Sequence, residues 1–420
     1  MRITRLAVTF AVLAFSIGCQ DKIAAPTQGF IAIDTGGVSG ADVYLDGEFQ
    51  GSGLDELGPL PAGTYAVRLE RTDYEVDPAT DLTVTVVPAE HVTARFRLEA
   101  IAFGSIAVVA RDEVTGEEVT GIAISRETSP GTFESTGFTT PATIDHLPTG
   151  PTKIRLASAG LAPGSAVPYA AVGDLSVNVV RDEVADLAVE LAPERAVLGE
   201  MFTYSLCPNC PPSAEKLQEM YADHAGEMFV IEWHTWSILP LYDARWKVRE
   251  RFYSGCPESD ASCPGWPATV MHGGDGDAPA LMIGSNDATL LEYDRRFEAR
   301  QTACDPLSCP VVLRWVATDV SSGTAWIKWR SAISADPLTL NAVLLENDIE
   351  TATELGGPGN QPFFEFAARE IQTVSVSRQD GTIQSFPIDL GAPGSANPHT
   401  VVVFLQSEAT HEIVAVSGTR

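Results

Sequence analysis

Two cysteines separated by two residues, in the run Cys207-Pro208-Asn209-Cys210, carry the most evident chemistry of this chain. Thiols at this spacing can close a disulfide and reopen it. A helix that starts at this motif would stabilise a Cys207 thiolate through its free backbone N–H groups. Cys207 is therefore predicted to be the nucleophile, and Cys210 the thiol that resolves the mixed disulfide.

The residues around this motif predict a strand before it and a helix after it. Residues 197–203 read as a buried strand, and residues 213–224 place Leu217, Met220 and Tyr221 on one helical face. Strand, Cys-x-x-Cys and helix in this order resemble the arrangement of thioredoxin-like proteins. The resemblance implies an α/β domain with a redox-active disulfide.

A second run, Gly265-Trp266-Pro267-Ala268-Thr269-Val270, resembles the cis-proline loop that faces the active disulfide in thioredoxin-like proteins. X–Pro bonds are the ones that adopt the cis form at low cost. The resemblance implies that the residue before the proline contacts a bound peptide. The candidate catalytic residues are Cys207, Cys210 and Pro267, and the candidate substrate-binding residues are Trp266, Pro208 and Asn209.

A Cys-x-x-Cys motif can also be a structural disulfide or half of a zinc site. A zinc site needs a second ligand pair at metal spacing, and here His234 and His272 are isolated in the sequence. We therefore predict no metal and no cofactor. The structural disulfide stays open as the alternative.

Two features near the motif bear on its charge and proton chemistry. Pro208 and Asn209 place no cation beside Cys207, so the helix terminus must supply most of the thiolate stabilisation. We expect a moderately oxidising pair. Thioredoxin keeps a buried acid six residues before the first cysteine, and this chain has Met201 at that position. The adjacent Glu200 does not replace this acid, because a shift of one residue along a strand places a side chain on the other face.

The first residues predict export and a lipid anchor. Arg2 and Arg5 precede an apolar run from Leu6 to Ile17 that is too short to span a bilayer, and Gly18-Cys19 follows it. This order resembles the bacterial lipobox, although Ser16 stands where leucine is usual. The resemblance implies a signal peptide over residues 1–18, a lipidated Cys19, a tether over residues 19–27, and a cell-envelope protein on the periplasmic side or at the outer membrane.

Six of the seven cysteines remain after Cys19, and they fall into three sequence-close pairs. An exported chain favours disulfides. Besides the Cys-x-x-Cys pair, we predict structural disulfides for Cys256 with Cys263 and for Cys304 with Cys309, although sequence alone does not fix the connectivity.

The net charge of the chain limits the classes of partner that it is expected to bind. Lysine and arginine number 27 and aspartate and glutamate 56, so the formal charge is 27 − 56 = −29. Nucleic-acid binding is therefore not expected. The expected partners are exported proteins with thiols or disulfides, together with the membrane that holds the lipid.

Two small β modules precede the Cys-x-x-Cys region. The runs from Ser39 to Glu48 and from Leu60 to Leu69 resemble the PEGA domain of bacterial envelope proteins, and Asp46-Gly47 is a hairpin turn signal. A weaker copy of this pattern follows in the sequence, since Leu147-Pro148-Thr149-Gly150 is similar to Leu60-Pro61-Ala62-Gly63. We predict a PEGA-like β domain over residues 28–100 and a second such β-sandwich over residues 101–193.

The remaining sequence predicts a thioredoxin-like domain over residues 196–302 and a C-terminal β-sandwich over residues 310–420. The residues Phe202-Thr203, the motif with Pro211, His234, and the runs 341–347, 356–360 and 401–406 resemble the twenty-eight-kilodalton outer-membrane lipoprotein family. That family joins a thioredoxin-like domain to a β-sandwich. The predicted fold class is thus multidomain, with all-β sandwich modules around one α/β domain.

Two functions follow from these features. The first is a membrane-anchored thiol–disulfide oxidoreductase that acts on exported proteins through Cys207 and Cys210. The second is a non-enzymatic binding or structural lipoprotein in which the same pair is a permanent disulfide. Solvent exposure of the Cys207 sulfur beside Trp266-Pro267 should discriminate between them.

Replacing Cys19 tests the predicted anchor. Cys19→Ala should release the protein into the soluble fraction and abolish fatty-acid labelling, because the thioether that carries the lipid cannot form. Fractionation and labelling of cells that express each form measure this. Unchanged membrane association of the variant would rule the anchor out.

Overall fold

The protein is described from a computed structural model. The structure describes residues 27–157, 168–236, 241–257, 264–273, 281–331, 333, 337–350 and 363–419. Cys19 and the predicted signal peptide lie outside these ranges. The chain divides into two compact units, with the boundary between Ala102 and Phe103. Within the described ranges the protein is mostly β-strand in several sheets, which confirms the prediction of all-β modules.

The first unit is a small sandwich of short strands. Its strands are β1 (Gln28–Asp34), β2 (Asp42–Leu45), β3 (Glu48–Ser52), β4 (Glu56–Pro61), β5 (Gly63–Glu70), β6 (Tyr74–Asp77), β7 (Leu82–Val86), β8 (His91–Arg95) and β9 (Arg97–Ala100). The sheet β4-β1-β8 faces the sheet β3-β2-β5-β7 across one apolar core. The predicted turn at Asp46-Gly47 is confirmed, since both residues have positive φ and join β2 to β3.

The second module repeats this topology. Its strands are β10 (Phe103–Asp112), β11 (Glu118–Val119), β12 (Ala123–Ser129), β13 (Thr132–Thr139), β14 (Ala142–Pro148), β15 (Gly150–Ala157), β16 (Val172–Val179) and β17 (Val184–Leu191). β10 pairs antiparallel with β14 and parallel with β17, as β1 does with β4 and β8. The register irregularity between Gly29 and Ile31 recurs between Gly104 and Ile106. This correspondence supports an internal repeat.

The helices of the described ranges fall in the segment that carries the Cys-x-x-Cys motif. Its elements are β18 (Val197–Thr203), α1 (Pro211–Asp223), β19 (Met228–His234), α2 (Ala244–Ser254), β20 (Ala268–Met271), β21 (Met282–Ile283) and α3 (Asp287–Gln301). Two of these helices begin at N-cap side chains: the Asp243 side chain accepts a hydrogen bond from Arg245 N, and the Asn286 side chain accepts one from Thr289 N.

The C-terminal strands form a sandwich. They are β22 (Val311–Ala317), β23 (Ser322–Trp329), β24 (Leu338–Glu346), β25 (Ile349–Glu350), β26 (Phe363–Phe364), β27 (Ala367–Val376), β28 (Ile383–Asp389), β29 (His399–Ser407) and β30 (Ile413–Gly418). The sheet β22-β23-β28 packs on an eight-stranded sheet of order β21-β20-β18-β19-β27-β24-β29-β30. This large sheet joins the Cys-x-x-Cys segment to the C-terminal strands through the pair Glu232–Ala367. The predicted boundary between residues 302 and 310 therefore divides segments that share one sheet.

Buried charges join the second module to the C-terminal sandwich. Asp112 at the end of β10 forms an ion pair of 3.1 Å with Arg314 of β22, and Tyr169 donates to Asp112 at 2.7 Å. The next residue, Glu113, pairs with Lys328 at 3.0 Å and also with Arg330. The module thus supplies carboxylates and the C-terminal sandwich supplies cations.

Helix length bears on how the chain could meet a membrane. Within the described residues, the structure contains no helix long and apolar enough to cross one.

In each of the two modules a glycine lies close to a backbone carbonyl oxygen, and Gly104 allows this packing to be tested. A Cβ on Gly104 would lie 2.1 Å from the carbonyl oxygen of Val180, and one on Gly29 2.3 Å from that of Val87. Gly104→Ala should destabilise the second module by about 1–3 kcal/mol, because the added methyl overpacks the site. Hydrogen exchange of peptides from β10, β14 and β17 measures the loss.

Gly173 in β16 provides the matched control. A Cβ there meets none of the described atoms within 4 Å, and its φ lies outside the left-handed region. Gly173→Ala should leave exchange unchanged or slow it slightly, because alanine restricts the unfolded chain. Equal protection in Gly104→Ala and the natural protein would contradict the packing argument.

Candidate functional site

Cys207 and Cys210 form a disulfide between the end of β18 and the start of α1, with an S–S distance of 2.02 Å. The turn is closed by Cys207 N, which donates to Tyr204 O at 3.0 Å. Both cysteines are only 2% exposed. Pro208 and Asn209 between them are exposed. The sulfurs therefore lie beneath a solvent-facing turn.

The first turn of α1 offers few free donors to a thiolate. Pro211 and Pro212 occupy its first two positions and carry no N–H. The next two N–H groups, of Ser213 and Ala214, both donate to Cys210 O at 3.1 Å. If the disulfide were reduced, a Cys207 thiolate would be stabilised by the helix dipole rather than by dedicated N–H bonds.

The Trp266-Pro267 loop lies beside this turn. The register places Ala268 opposite Phe202, so Pro267 stands next to the end of β18. The Trp266–Pro267 peptide is cis. Trp266 packs edge-on against Tyr204 at 5.2 Å between ring centroids, and Trp236 lies within 5.1 Å of both rings. We call Tyr204, Trp236 and Trp266 the aromatic cluster.

The aromatic cluster continues onto exposed surface and is anchored from α2. Trp236 is 37% exposed, and Leu206 in the same turn as the disulfide is 51% exposed. Trp266 Nε1 donates to Thr235 Oγ1 at 2.9 Å, and that hydroxyl donates to Glu250 Oε1 at 3.1 Å. This chain of bonds fixes the orientation of the Trp266 ring. The side chains of Tyr204, Thr235 and Glu250 were not predicted as part of the site.

The two faces of β18 have different chemistry. Glu200 is fully buried on the α2 side, where Trp233 Nε1 donates to it at 3.0 Å and Arg249 Nη2 at 2.9 Å. Met201 points the opposite way, as the sequence predicted for neighbouring strand positions. Its face is the α1 face, because a Cβ on Gly199 would lie 3.4 Å from Leu217 of α1. Glu200 therefore lies on the face opposite the disulfide helix.

The neighbouring strand supplies a buried acid that sequence reasoning missed. Glu232 is paired in register with Met201 and so shares the α1 face. Burial, with a smaller effect of the Glu365 charge, raises the pKa of Glu232 to about 8. In the sequence, the one sign of this buried acid is that Glu232 lies within an otherwise apolar strand run. At neutral pH this carboxyl keeps its proton.

His234, two residues further on the same strand face, is a packed strand histidine. Its ring meets Phe364 edge-on at 4.8 Å. Burial, followed by the positive charge of Arg369, lowers the pKa of His234 to about 3. Neither ring nitrogen has a hydrogen-bond partner among the described residues. The imidazole is therefore neutral across the physiological range.

The other predicted cysteines are placed as follows. Cys304 and Cys309 form a disulfide with an S–S distance of 1.90 Å, after α3 and before β22. Cys256, after α2, is also disulfide-bonded, while its predicted partner Cys263 lies outside the described residues. Within the described ranges, no group of three or more His, Cys, Asp or Glu side chains is arranged to hold a metal ion.

Comparison with known proteins gives weak likenesses only. No protein-family model matches the chain, and neither does any of the curated proteins compared with it. HBP35 of Porphyromonas gingivalis is similar at 17% identity and a TM-score of 0.41, over 54% of this chain and 74% of that one. A protein from Agrobacterium tumefaciens is similar at 16% and 0.36, over 54% and 93%.

A streptococcal ancillary pilin is similar at 15% identity and a TM-score of 0.31, over 41% of this chain and 63% of the pilin. At these values neither a shared fold nor a shared function follows.

The shifted pKa values of Glu232 and His234 predict a pH dependence of stability. Glu232 titrates near 4.5 when unfolded and near 8 when folded, so its contribution to the free energy of unfolding falls as pH rises between these values. His234 titrates near 6.5 when unfolded and near 3 when folded, so its contribution rises with pH up to 6.5. The two offset each other between pH 4.5 and 6.5. Above pH 6.5 the His234 contribution is constant, and the Glu232 contribution falls by roughly 1.4 kcal/mol per pH unit. Burial also raises the pKa of Glu365 to about 7, so the range from pH 7 to 8 reports on Glu232.

Glu232→Gln should remove this fall between pH 7 and 8, because the amide has no proton to lose. Denaturant unfolding followed by tryptophan fluorescence measures it, since all 7 tryptophans lie between Trp233 and Trp329. Glu298→Gln, at an exposed position of α3, is the control and should keep the natural slope. The assignment fails if the Glu232→Gln protein loses stability above pH 7 as the natural protein does.

Proposed function

We propose that this protein is a lipid-anchored thiol–disulfide oxidoreductase of the bacterial envelope, whose redox unit is a thioredoxin-like domain over residues 196–302. One observation carries the proposal: the Cys207–Cys210 disulfide lies between a buried strand and the first turn of a helix, beside the Trp266-Pro267 loop. The described strand order and helices of this segment support the domain assignment.

The reaction is a two-step exchange of disulfides. In the reduced protein, the Cys207 thiolate attacks one sulfur of a partner disulfide, and the other partner sulfur leaves as a thiolate. The Cys210 thiol then loses its proton and attacks the Cys207 sulfur, which releases the second partner cysteine. Two electrons pass to the partner, and the Cys207–Cys210 disulfide forms. Starting from the disulfide, the same steps in reverse oxidise a partner dithiol.

The aromatic cluster gives the partner a place to bind. Trp236 and Leu206 are exposed next to the turn that contains the sulfurs, and Trp266 is held in place by Thr235. Such rings bind the apolar side chains of an extended peptide. Because Cys207 is only 2% exposed, exchange requires the turn at Pro208-Asn209 to open.

The modules before this segment act as spacers in this proposal. Their matching strand orders support a tandem repeat, and we assign both as PEGA-like. Lipid at Cys19 would place them between the membrane and the redox unit in the chain order.

The low exposure of Cys207 favours a second candidate function. A disulfide whose cysteines are both 2% exposed is also what a permanent structural link requires. In that case the protein is a non-enzymatic envelope lipoprotein that binds partners through its surfaces. The two functions differ in whether Cys207 exchanges with a partner.

Trapping experiments on the full chain separate the two functions. Cys210→Ser should accumulate mixed disulfides with envelope proteins through Cys207, because the resolving thiol is missing. Cys207→Ser is the matched control and should trap few or none. Non-reducing gels of acid-quenched cells measure the adducts, and an insulin-reduction assay with the purified protein measures turnover. Absence of adducts from Cys210→Ser together with no insulin reduction would establish the structural disulfide instead.

A further inference from the structure

The Cys304–Cys309 disulfide lies against a guanidinium. Arg195, just before β18, places Nη1 at 2.5 Å from Cys304 Sγ and at 3.8 Å from Cys309 Sγ. Among the described residues, no cation makes such a contact with the Cys207–Cys210 pair. Lys216, the lysine of α1, pairs instead with Asp294 at 2.9 Å. Of these two disulfides, the one predicted to be structural therefore has the closer cation.

Arg195 forms no ion pair with any carboxylate of the described residues, and its buried Nε has no hydrogen-bond partner among them. Its Nη2 lies 3.4 Å from His272 Nε2, and burial lowers the pKa of that histidine well below its usual value, so the ring is neutral. The nearby Arg300 is paired with Glu412 at 3.1 Å. The charge of Glu412 reaches Arg195 only from beyond ion-pair distance. A half-buried cation without a directly contacting carboxylate is stabilised by a new anion beside it.

The disulfide is also reachable. Cys304 is partly exposed, whereas Cys309 is 7% exposed. A cavity of about 30 Å³ borders Cys309, Arg195 and Pro306, which is room for about one water molecule. An attacking thiolate can approach Cys304 from solvent, and the departing Cys309 sulfur has space and a cation beside it.

We propose that Cys304–Cys309 is a second redox site, which reacts with thiol reductants and whose reduced form is stabilised by Arg195. A thiolate of a dithiol attacks Cys304 Sγ, and Cys309 leaves as a thiolate 3.8 Å from the guanidinium. The second thiol of the reductant displaces Cys304, which becomes a thiolate beside Arg195. The reductant becomes a disulfide and two electrons enter the pair. This site is independent of the function proposed for Cys207 and Cys210.

Equilibration with dithiothreitol tests the proposal. The folded full chain is held at defined ratios of reduced to oxidised dithiothreitol, quenched, alkylated and analysed by peptide mass spectrometry. Arg195→Gln should require about a tenfold higher ratio to open half of the Cys304–Cys309 disulfides, because one pKa unit of thiolate stabilisation is lost. Arg195→Lys should restore most of the natural value, since it keeps the charge.

Arg296→Gln is the matched control on α3, where Arg296 pairs with Glu292 at 2.8 Å, and it should change nothing. The Cys207–Cys210 peptide in the same samples should show no shift in Arg195→Gln. A shift of threefold or more that is confined to Cys304–Cys309 supports the proposal. A smaller shift, or opening that occurs only with loss of native tryptophan fluorescence, overturns it.

If Arg195→Gln does not fold, the natural protein provides a second measurement. After reduction, the rate of alkylation of Cys304 against pH gives its thiol pKa, which should lie below the usual value of about 8.5. A value at or above 8.5 overturns the proposal.

Discussion

The arrangement of the large sheet depends on the hydrogen bonds and the ion pair that the buried carboxylate of Glu200 accepts. This residue lies within β18 and receives hydrogen bonds from Trp233 of β19 and from Arg249 and Tyr253 of α2. Arg249 also donates to Gln406 of β29 at 3.1 Å. One buried charge thus holds the disulfide-bearing strand, a helix and the C-terminal strands together. Removing one partner of such a pair costs about 3–5 kcal/mol, because a buried charge is left uncompensated.

The local structure could be predicted from the sequence because short-range physics decides it. The cap at Asp243, the turn at Asp46-Gly47 and the antiparallel pairing of β29 with β30 each follow from neighbouring residues. The opposite orientation of Glu200 and Met201 follows from the two-residue period of a strand. These rules gave the strands around the site and the position of the disulfide.

Contacts between residues that are far apart in the chain could not be predicted from the sequence. The pairing of β19 with β27 extends the sheet into the C-terminal strands, and no local pattern marks it. The same holds for Glu232 beside Met201, whose proximity depends on parallel register, and for Arg195 beside Cys304, 109 positions later. The 2% exposure of Cys207 results from packing around the turn, which spacing alone does not encode.

The ion pairs between the second module and the C-terminal sandwich bear on how this architecture can be inherited. Asp112 is buried against Arg314, and Glu113 receives two cations from β23 and the residue after it. Without these ion pairs, the second module would keep carboxylates, and the C-terminal sandwich would keep cations, whose charge is uncompensated. Gene rearrangements that separate the second module from the C-terminal strands would therefore be selected against unless Arg314 or Asp112 changed at the same time. The second module and the C-terminal strands should therefore be inherited together as one unit.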